Sequence, residues 1–329
     1  MLSFMGWMMI GIASQSPASE KSADRTSINL VIEMNQLPKK SGRLRARLPG
    51  QIEKSAFDEN GNQFFQKPWS AHWWPYREGQ LWKWSDSPLK MYDLYRRSRG
   101  RQGSAAKFES QAYETQKNQG GYRDAWAKAA VFMPAPKRPV QMLIDNEVVE
   151  FSIADIQALL IHTFSEIPKD LQEIQEQTDA IQFFSLVKQF QEQNKKIFWM
   201  DWNPSEEVWM VPVYSSLYIL EEIPNRSDAV KLRISVDFME CINDWEDRDS
   251  KDSHDRSLDY YAILSGVRDG DKLKIESGTW TKATGGDSTV NHPDSFFTIK
   301  NSGEYIKKRK SSNPYIDIDL VDEIAARSY

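Results

Sequence analysis

The sequence predicts an α+β fold, with helices in the first half of the chain and an antiparallel sheet in the second half. Before about residue 196, apolar residues recur mainly every three or four positions. From residue 197 onward they alternate with polar ones. The two periods are segregated along the chain rather than interleaved, which excludes an alternating βαβ architecture.

Within the first half, residues 68–99 are dense in aromatics (PWSAHWWPYREGQLWKWSDSPLKMYDLYRRSR). Ser87-Pro88 opens a helix there, because proline is tolerated in a first helical turn, and Tyr92 and Tyr95 fall on neighbouring turns. Arg96, Arg97, Arg99 and Arg101 read as a solvated loop. Residues 124–134 (DAWAKAAVFMP) suit a helix that is alanine-rich, capped by Asp124 and ended by Pro134 and Pro136. Residues 141–151 read as a hairpin around Asp145-Asn146. Ser152 and Asp155 then stand at capping-box spacing before a helix with Ile156, Leu159, Leu160 and Phe164 on one stripe. His162 lies off that stripe and is expected to be partly exposed. Residues 170–196 are rich in Gln and Glu, and their apolar run 181–187 (IQFFSLV) fits a helix or a strand equally.

In the second half, Leu232, Ile234, Val236 and Phe238 alternate cleanly, and YYAILSGV and KLKIESGTW read as further strands. Residues 243–259 are expected to be a solvated loop, with no calcium-ligand spacing. The closing NPYIDIDLVDEIAA suits a short amphipathic helix.

Composition narrows the function classes. With 42 Lys+Arg against 47 Asp+Glu, the net charge is −5, which lacks the basic footprint of a nucleic-acid binder. The single cysteine, Cys241, excludes an intrachain disulfide framework, a cysteine-based zinc site and an iron–sulfur cluster. It ends an alternating strand and reads as a buried small hydrophobe. Met1 to Ala13 is apolar, too short to span a bilayer, and of the length of a signal-peptide core. The organisation read from this is a signal peptide over 1–18, a polar arm over 19–66 and one domain over 67–329, in a secreted or periplasmic protein without a stable membrane anchor.

Several ordered blocks resemble the transglutaminase elicitor family. Residues 68–95 are similar to its Trp-Pro-Tyr and Ser-Pro-x-x-Lys-Tyr-Asp blocks, and GYRDAWAKAA at 121–130 to its Gly-x-Cys-x-Gly-Trp-Ala nucleophile helix. Residues 134–160, VWMVPVYSSLY at 208–218 and the run 260–296 with His292-Pro293-Asp294 resemble further blocks in the family's order. The resemblance implies a papain/transglutaminase-like core and acyl transfer from a protein glutamine to an amine, normally lysine. That chemistry uses a cysteine thiolate at a helix N-terminus, an imidazole base and an orienting carboxylate.

Carried over by motif, the nucleophile position is Arg123, the base position is Phe184 and the carboxylate is Asp201. Met210 and Val211 replace the Asn-Gln of the elicitor block. Calcium is allowed by the resemblance, although no ligand motif is seen, and no other cofactor is expected. Two functions follow from this reading. One is a pseudoenzyme that binds a protein or peptide ligand in the former acyl-transfer cleft. The other is an active protein-glutamine γ-glutamyltransferase working with a non-standard set drawn from Asp201, Cys241 and His292.

Overall fold

The computed structural model describes residues 30–36, 44–47, 67–115, 120–166, 171–175, 178–192, 197–202, 210–242, 254–282, 292–299 and 302–329. The signal-peptide reading over 1–18 and most of the polar arm lie outside these residues. Helices α1 (Pro88–Ser98), α2 (Ala105–Tyr113), α3 (Arg123–Phe132) and α4 (Ile153–His162) come first, with the hairpin β3 (Val140–Ile144) and β4 (Glu147–Phe151) before α4. Helix α5 (Ala180–Glu192) sits between β5 (Gln172–Gln175) and β6 (Phe198–Asp201). The long strands β7 (Met210–Ile223), β8 (Arg226–Met239), β9 (Asp255–Asp269) and β10 (Lys272–Thr281) follow, then β11 (Ser295–Ile299), α6 (Ser302–Lys307) and α7 (Ile318–Ala326). Two short strands of the arm, β1 (Val31–Glu33) and β2 (Leu44–Arg47), join the same sheet.

Among the described residues this sheet has nine strands in the order β1-β10-β9-β8-β7-β6-β11-β5, with β2 paired to β7, and every pairing is antiparallel. Its long meander is the alternating run of the sequence. Leu232, Ile234, Val236 and Phe238 all point into one buried cluster, while Arg233, Ser235 and Asp237 face the other way and bond Asp259 and Ser257 of β9.

Two apolar cores result. One joins α1, α3, α4, α7 and the hairpin; the other packs α5 on the sheet. They meet at β6, where Trp199 belongs to the helical core and its neighbours Phe198 and Met200 belong to the α5 core. The two-residue period of the strand thus sorts side chains between the layers.

Local chemistry explains the element boundaries. The Ser152 hydroxyl accepts from the Asp155 N–H at 3.2 Å, and the Asp155 carboxylate accepts from the Ser152 N–H at 2.8 Å, completing the capping box of α4. Asp145 and Asn146 both adopt positive φ, 49° and 69°, as a two-residue hairpin turn of the primed type requires. Residues 181–187 are helical: Asp179 accepts from the N–H groups of Ile181 and Gln182, each at 2.8 Å, and Phe183, Phe184 and Val187 fall on one buried face.

Four expectations need correction. Asp124 is not the cap of α3. The helix starts at Arg123 with Tyr122 as its N-cap residue, and the Asp124 carboxylate turns to Lys128 one turn on. The arginine cluster is solvated only in part: Arg97, Arg99 and Arg101 are exposed, but Arg96 is buried on α1, donates to Asp317 at 3.0 Å and so ties the C-terminal segment to the first helix. His162 is fully buried, not partly exposed. Residues 255–259 belong to strand β9, so the expected loop is shorter at that end. Residues 243–253 lie outside the described residues. Helix α2 has no counterpart among the expected elements. No helix among the described residues is long and apolar enough to cross a membrane.

Trp126 is fully buried at the centre of the helical core. Trp126→Ala is expected to cost about 3–5 kcal/mol, the range for large aromatic truncations in cores. Leu143→Ala, at a hairpin site 74% exposed, should stay within about 0.5 kcal/mol. Urea unfolding monitored by circular dichroism checks both.

Candidate functional site

The site is built around the N-terminus of α3, a helix buried on every side. Every residue from Ala125 to Phe132 is buried, and four of the eight are alanines. Small side chains let the helix backbone approach its neighbours closely. Indole groups hold it there. Trp126 Nε1 donates to the Trp69 carbonyl at 3.1 Å, Trp69 Nε1 to the Met133 carbonyl at 2.9 Å, and Trp199 Nε1 to the Ala127 carbonyl at 2.8 Å.

Two backbone seams fix the start of the helix. Tyr122 N–H donates to the Trp73 carbonyl at 2.9 Å, and Tyr76 N–H donates to the Gly120 carbonyl at 2.9 Å. Gly121 sits between them. A Cβ there would stand 2.6 Å from the Trp73 ring and 3.1 Å from the Pro75 Cα, so the close approach needs glycine. On its other side the same segment meets the chain just past β8. Ile242 N–H donates to the Ala71 carbonyl at 2.8 Å, and His72 bridges the Ile242 carbonyl at 3.1 Å and Gln80 at 2.8 Å.

These seams bring Arg123, Trp73 and Cys241 together. The Arg123 guanidinium lies over the Trp73 ring, 4.6 Å from its centroid. The Cys241 thiol is buried against the same guanidinium. Burial pushes its pKa up to about 11, and the Arg123 charge opposes this without overcoming it. The thiol is therefore protonated at neutral pH, unlike a cysteine poised for nucleophilic attack.

The other positions carried over from the sequence divide between the two layers. Asp201 ends β6, is buried, and stands two residues from Trp199, on the strand face turned toward the helical core. Its carbonyl accepts from the Asp294 N–H at 3.0 Å. Phe184 lies in the α5 core with its ring 5.0 Å from Tyr218, edge-on. His292 also belongs to that side, with its ring stacked at 5.9 Å on Trp280 and Nδ1 3.0 Å from the Pro293 carbonyl. The structure thus gathers Arg123 with Cys241, while Phe184 and His292 pack in the other layer. Among the described residues no three His, Cys, Asp or Glu side chains gather as a metal cage.

Three buried ionisable groups stand near α3, and of these the sequence marks only His162. Lys128 is 1% exposed, with Nζ 3.4 Å from Asp124 Oδ2 and 5.1 Å from the centre of the Phe297 ring. Burial lowers its pKa and Asp124 opposes that. A lone cation in an otherwise apolar helix segment was the available signal.

Glu109 of α2 and His162 of α4 meet behind Tyr122. Glu109 accepts from the Tyr122 hydroxyl at 2.7 Å through Oε2 and from Asn313 Nδ2 at 3.0 Å through Oε1, and His162 Nδ1 is 4.0 Å from that same Oε1. Burial raises the Glu109 pKa to about 7 and lowers that of His162 to about 3. His162 is therefore uncharged at neutral pH, Glu109 titrates near it, and the cluster supports the residue next to Arg123 through hydrogen bonds.

This cluster makes stability depend on pH in a definite direction. The folded Glu109 holds its proton better than the unfolded chain does, so its contribution is complete below about pH 4.5 and lost as pH rises through about 7. His162 acts in the opposite sense. Its neutral form is favoured on folding, so its contribution is present above the unfolded pKa of 6.5 and lost as pH falls toward about 3. Glu109→Gln should remove the first slope alone. The variant is expected to gain on the parent by up to about 3 kcal/mol between pH 4.5 and 7.5, as read by urea unfolding at each pH. Parallel curves for the two proteins would show that Glu109 titrates normally.

The fold superimposes on the crystal structure of the GP42 transglutaminase from Phytophthora sojae with a TM-score of 0.58. The match covers 90% of this chain and 93% of that one at 14% sequence identity. No protein-family model matches the chain, and no curated protein sequence matches it. At that identity the likeness concerns architecture. Helices followed by a curled antiparallel sheet, in this order and over nearly the whole length of both chains, make this a transglutaminase-like fold.

Proposed function

We propose that this chain is a secreted transglutaminase-like protein that binds a protein or peptide at the start of α3 and does not transfer an acyl group. The observation that carries the reading is the chemistry at that helix terminus. Arg123 occupies the first helical position with its guanidinium over Trp73, and the neighbouring thiol has a pKa of about 11. Thioester formation needs a thiolate with an accessible base beside it. A guanidinium supplies neither. It supplies a fixed cation beside an aromatic face, which suits recognition of a carbonyl or carboxylate on a bound chain. Secretion rests on the apolar run at residues 1–13.

Amine incorporation tests the reading. The purified protein is incubated with a glutamine-rich acceptor and a dansylated amine, with and without calcium, beside a Cys241→Ser variant. The expected result is no labelling above background in any arm. Labelling that disappears in Cys241→Ser would instead establish a working thiol enzyme, the γ-glutamyltransferase alternative.

A thiol placed on the helix tests the geometry separately. In a Cys241→Ser background, Arg123→Cys puts sulfur at the positive end of α3, where the helix lowers thiol pKa. Its alkylation by iodoacetamide at pH 7.5 is expected to be at least tenfold faster than that of Cys241 in the parent. Equal rates would show that the α3 terminus does not activate a thiol.

A further inference from the structure

A concavity lies outside the α3 site, between α1 and α2, and has a volume of about 740 Å³. Lys90, Leu94 and Arg97 line it from α1, and Lys107 lines it from the first turn of α2. Trp82 and Tyr76 contribute apolar surface, and Lys83 stands near the Tyr76–Gly79 end.

The charge balance of the cleft is unequal once its internal partners are counted. Asp93 faces it, but its carboxylate already accepts from the Ser104 hydroxyl at 2.5 Å and from the Ala105 and Ala106 N–H groups at 2.7 and 3.1 Å. Glu78 lies 3.8 Å from Arg77, and Glu114 accepts from Ser110 at 3.2 Å. Among the described residues no carboxylate pairs with Lys83, Lys90, Arg97 or Lys107. Lys90 donates to the Lys83 carbonyl, which holds its ammonium at the cleft wall.

Spacing selects the ligand. Lys90 and Arg97 are seven residues apart on α1, two turns, hence on one face and about 10 Å apart along the axis, with Leu94 between them. A free phosphate or a single carboxylate cannot reach both. A peptide in polyproline II conformation can: it repeats every three residues at about 3.1 Å each, so acidic side chains at i and i+3 share a face about 9 Å apart.

We propose that the α1–α2 cleft binds an extended acidic peptide, with two carboxylates three residues apart on Lys90 and Arg97 and an apolar side chain between them over Leu94 and Trp82. The proposal does not depend on what happens at Arg123.

Fluorescence anisotropy of the full chain with fluorescein-labelled Glu-Pro-Leu-Glu-Pro-Leu-Glu tests it. Saturable binding is expected. It should weaken at least tenfold when the three glutamates become glutamines, and at least tenfold in Lys90→Glu/Arg97→Glu. The single exposed change Lys107→Glu should weaken it at least threefold, which keeps the test decisive if the double variant does not fold by circular dichroism. Arg268→Glu, an exposed charge change on β9, should leave it unchanged. Equal affinity for a peptide of the same composition with its glutamates adjacent would overturn the proposal and reduce the effect to bulk charge attraction. Absence of saturable binding, retention of affinity in the cleft variants, or competition by millimolar inorganic phosphate as strong as by unlabelled peptide would overturn it too.

Discussion

The burial of α3 is the constraint on which the rest of the molecule depends. A helix apolar all round can exist only if structure covers every face. Here the aromatic segment before α1, helix α4 and the sheet at β6 and β7 supply that cover. Its alanines permit close approach, and the indoles of Trp69, Trp126 and Trp199 close the gaps while sending each N–H to a backbone carbonyl. A buried indole without an acceptor would cost free energy of the order of a lost hydrogen bond, so the three pairings fix both the depth and the rotation of the helix. Lys128 follows from the same constraint. It points into the packed side of the helix, and Asp124, one turn earlier, compensates part of the desolvation.

Because α3 is held so firmly, the character of its N-terminus is set by a few side chains. The helix dipole disfavours a cation there by about 0.3–1 kcal/mol. The face of Trp73 offsets this by a similar amount, since a cation over an indole gains about 0.5–2 kcal/mol. Arg123 would favour a thiolate at Cys241, yet burial prevails. The terminus is consequently a stable cationic platform, backed by the buried Glu109–His162–Tyr122 cluster that carries its preceding residue.

Features with short-range causes were legible in the sequence. The Ser152–Asp155 box, the Asp145-Asn146 turn and the alternation of β8 each depend on residues within a few positions of one another, and each stands as read. Features with distant causes were not. Arg96 looked solvated because its partner Asp317 lies 221 residues away. His162 reads as exposed because it lies off the one apolar stripe visible in the sequence, whereas α4 is covered by α3 on one side and α7 on another and is buried along nearly its full circumference. Helix α2 went unread because most of its buried face is alanine and a carboxylate, Ala105, Ala106 and Glu109, with little hydrophobic contrast to detect. The pairing of Arg123 with Cys241 was equally hidden, since it needs residues 71–73 as a splint between two segments far apart in sequence.

The division of labour between the two cores explains how such a fold tolerates change at its site. Strand β6 sends Trp199 and Asp201 toward α3 and sends Phe198 and Met200 toward α5, so each layer is packed by its own residues. Phe184 shows the consequence. Fully buried against Tyr218, it contributes to the α5 layer what any large apolar side chain contributes, and its burial places no demand on the residue at the start of α3. Architecture is conserved by volume and period, which many sequences satisfy, and this is why it extends over nine-tenths of a chain only 14% identical. Chemistry resides in side chains at positions the packing leaves open, and position 123, partly exposed at the first turn of a buried helix, is one of these. What occupies it can therefore change from one protein of this architecture to another without disturbing the helix that presents it.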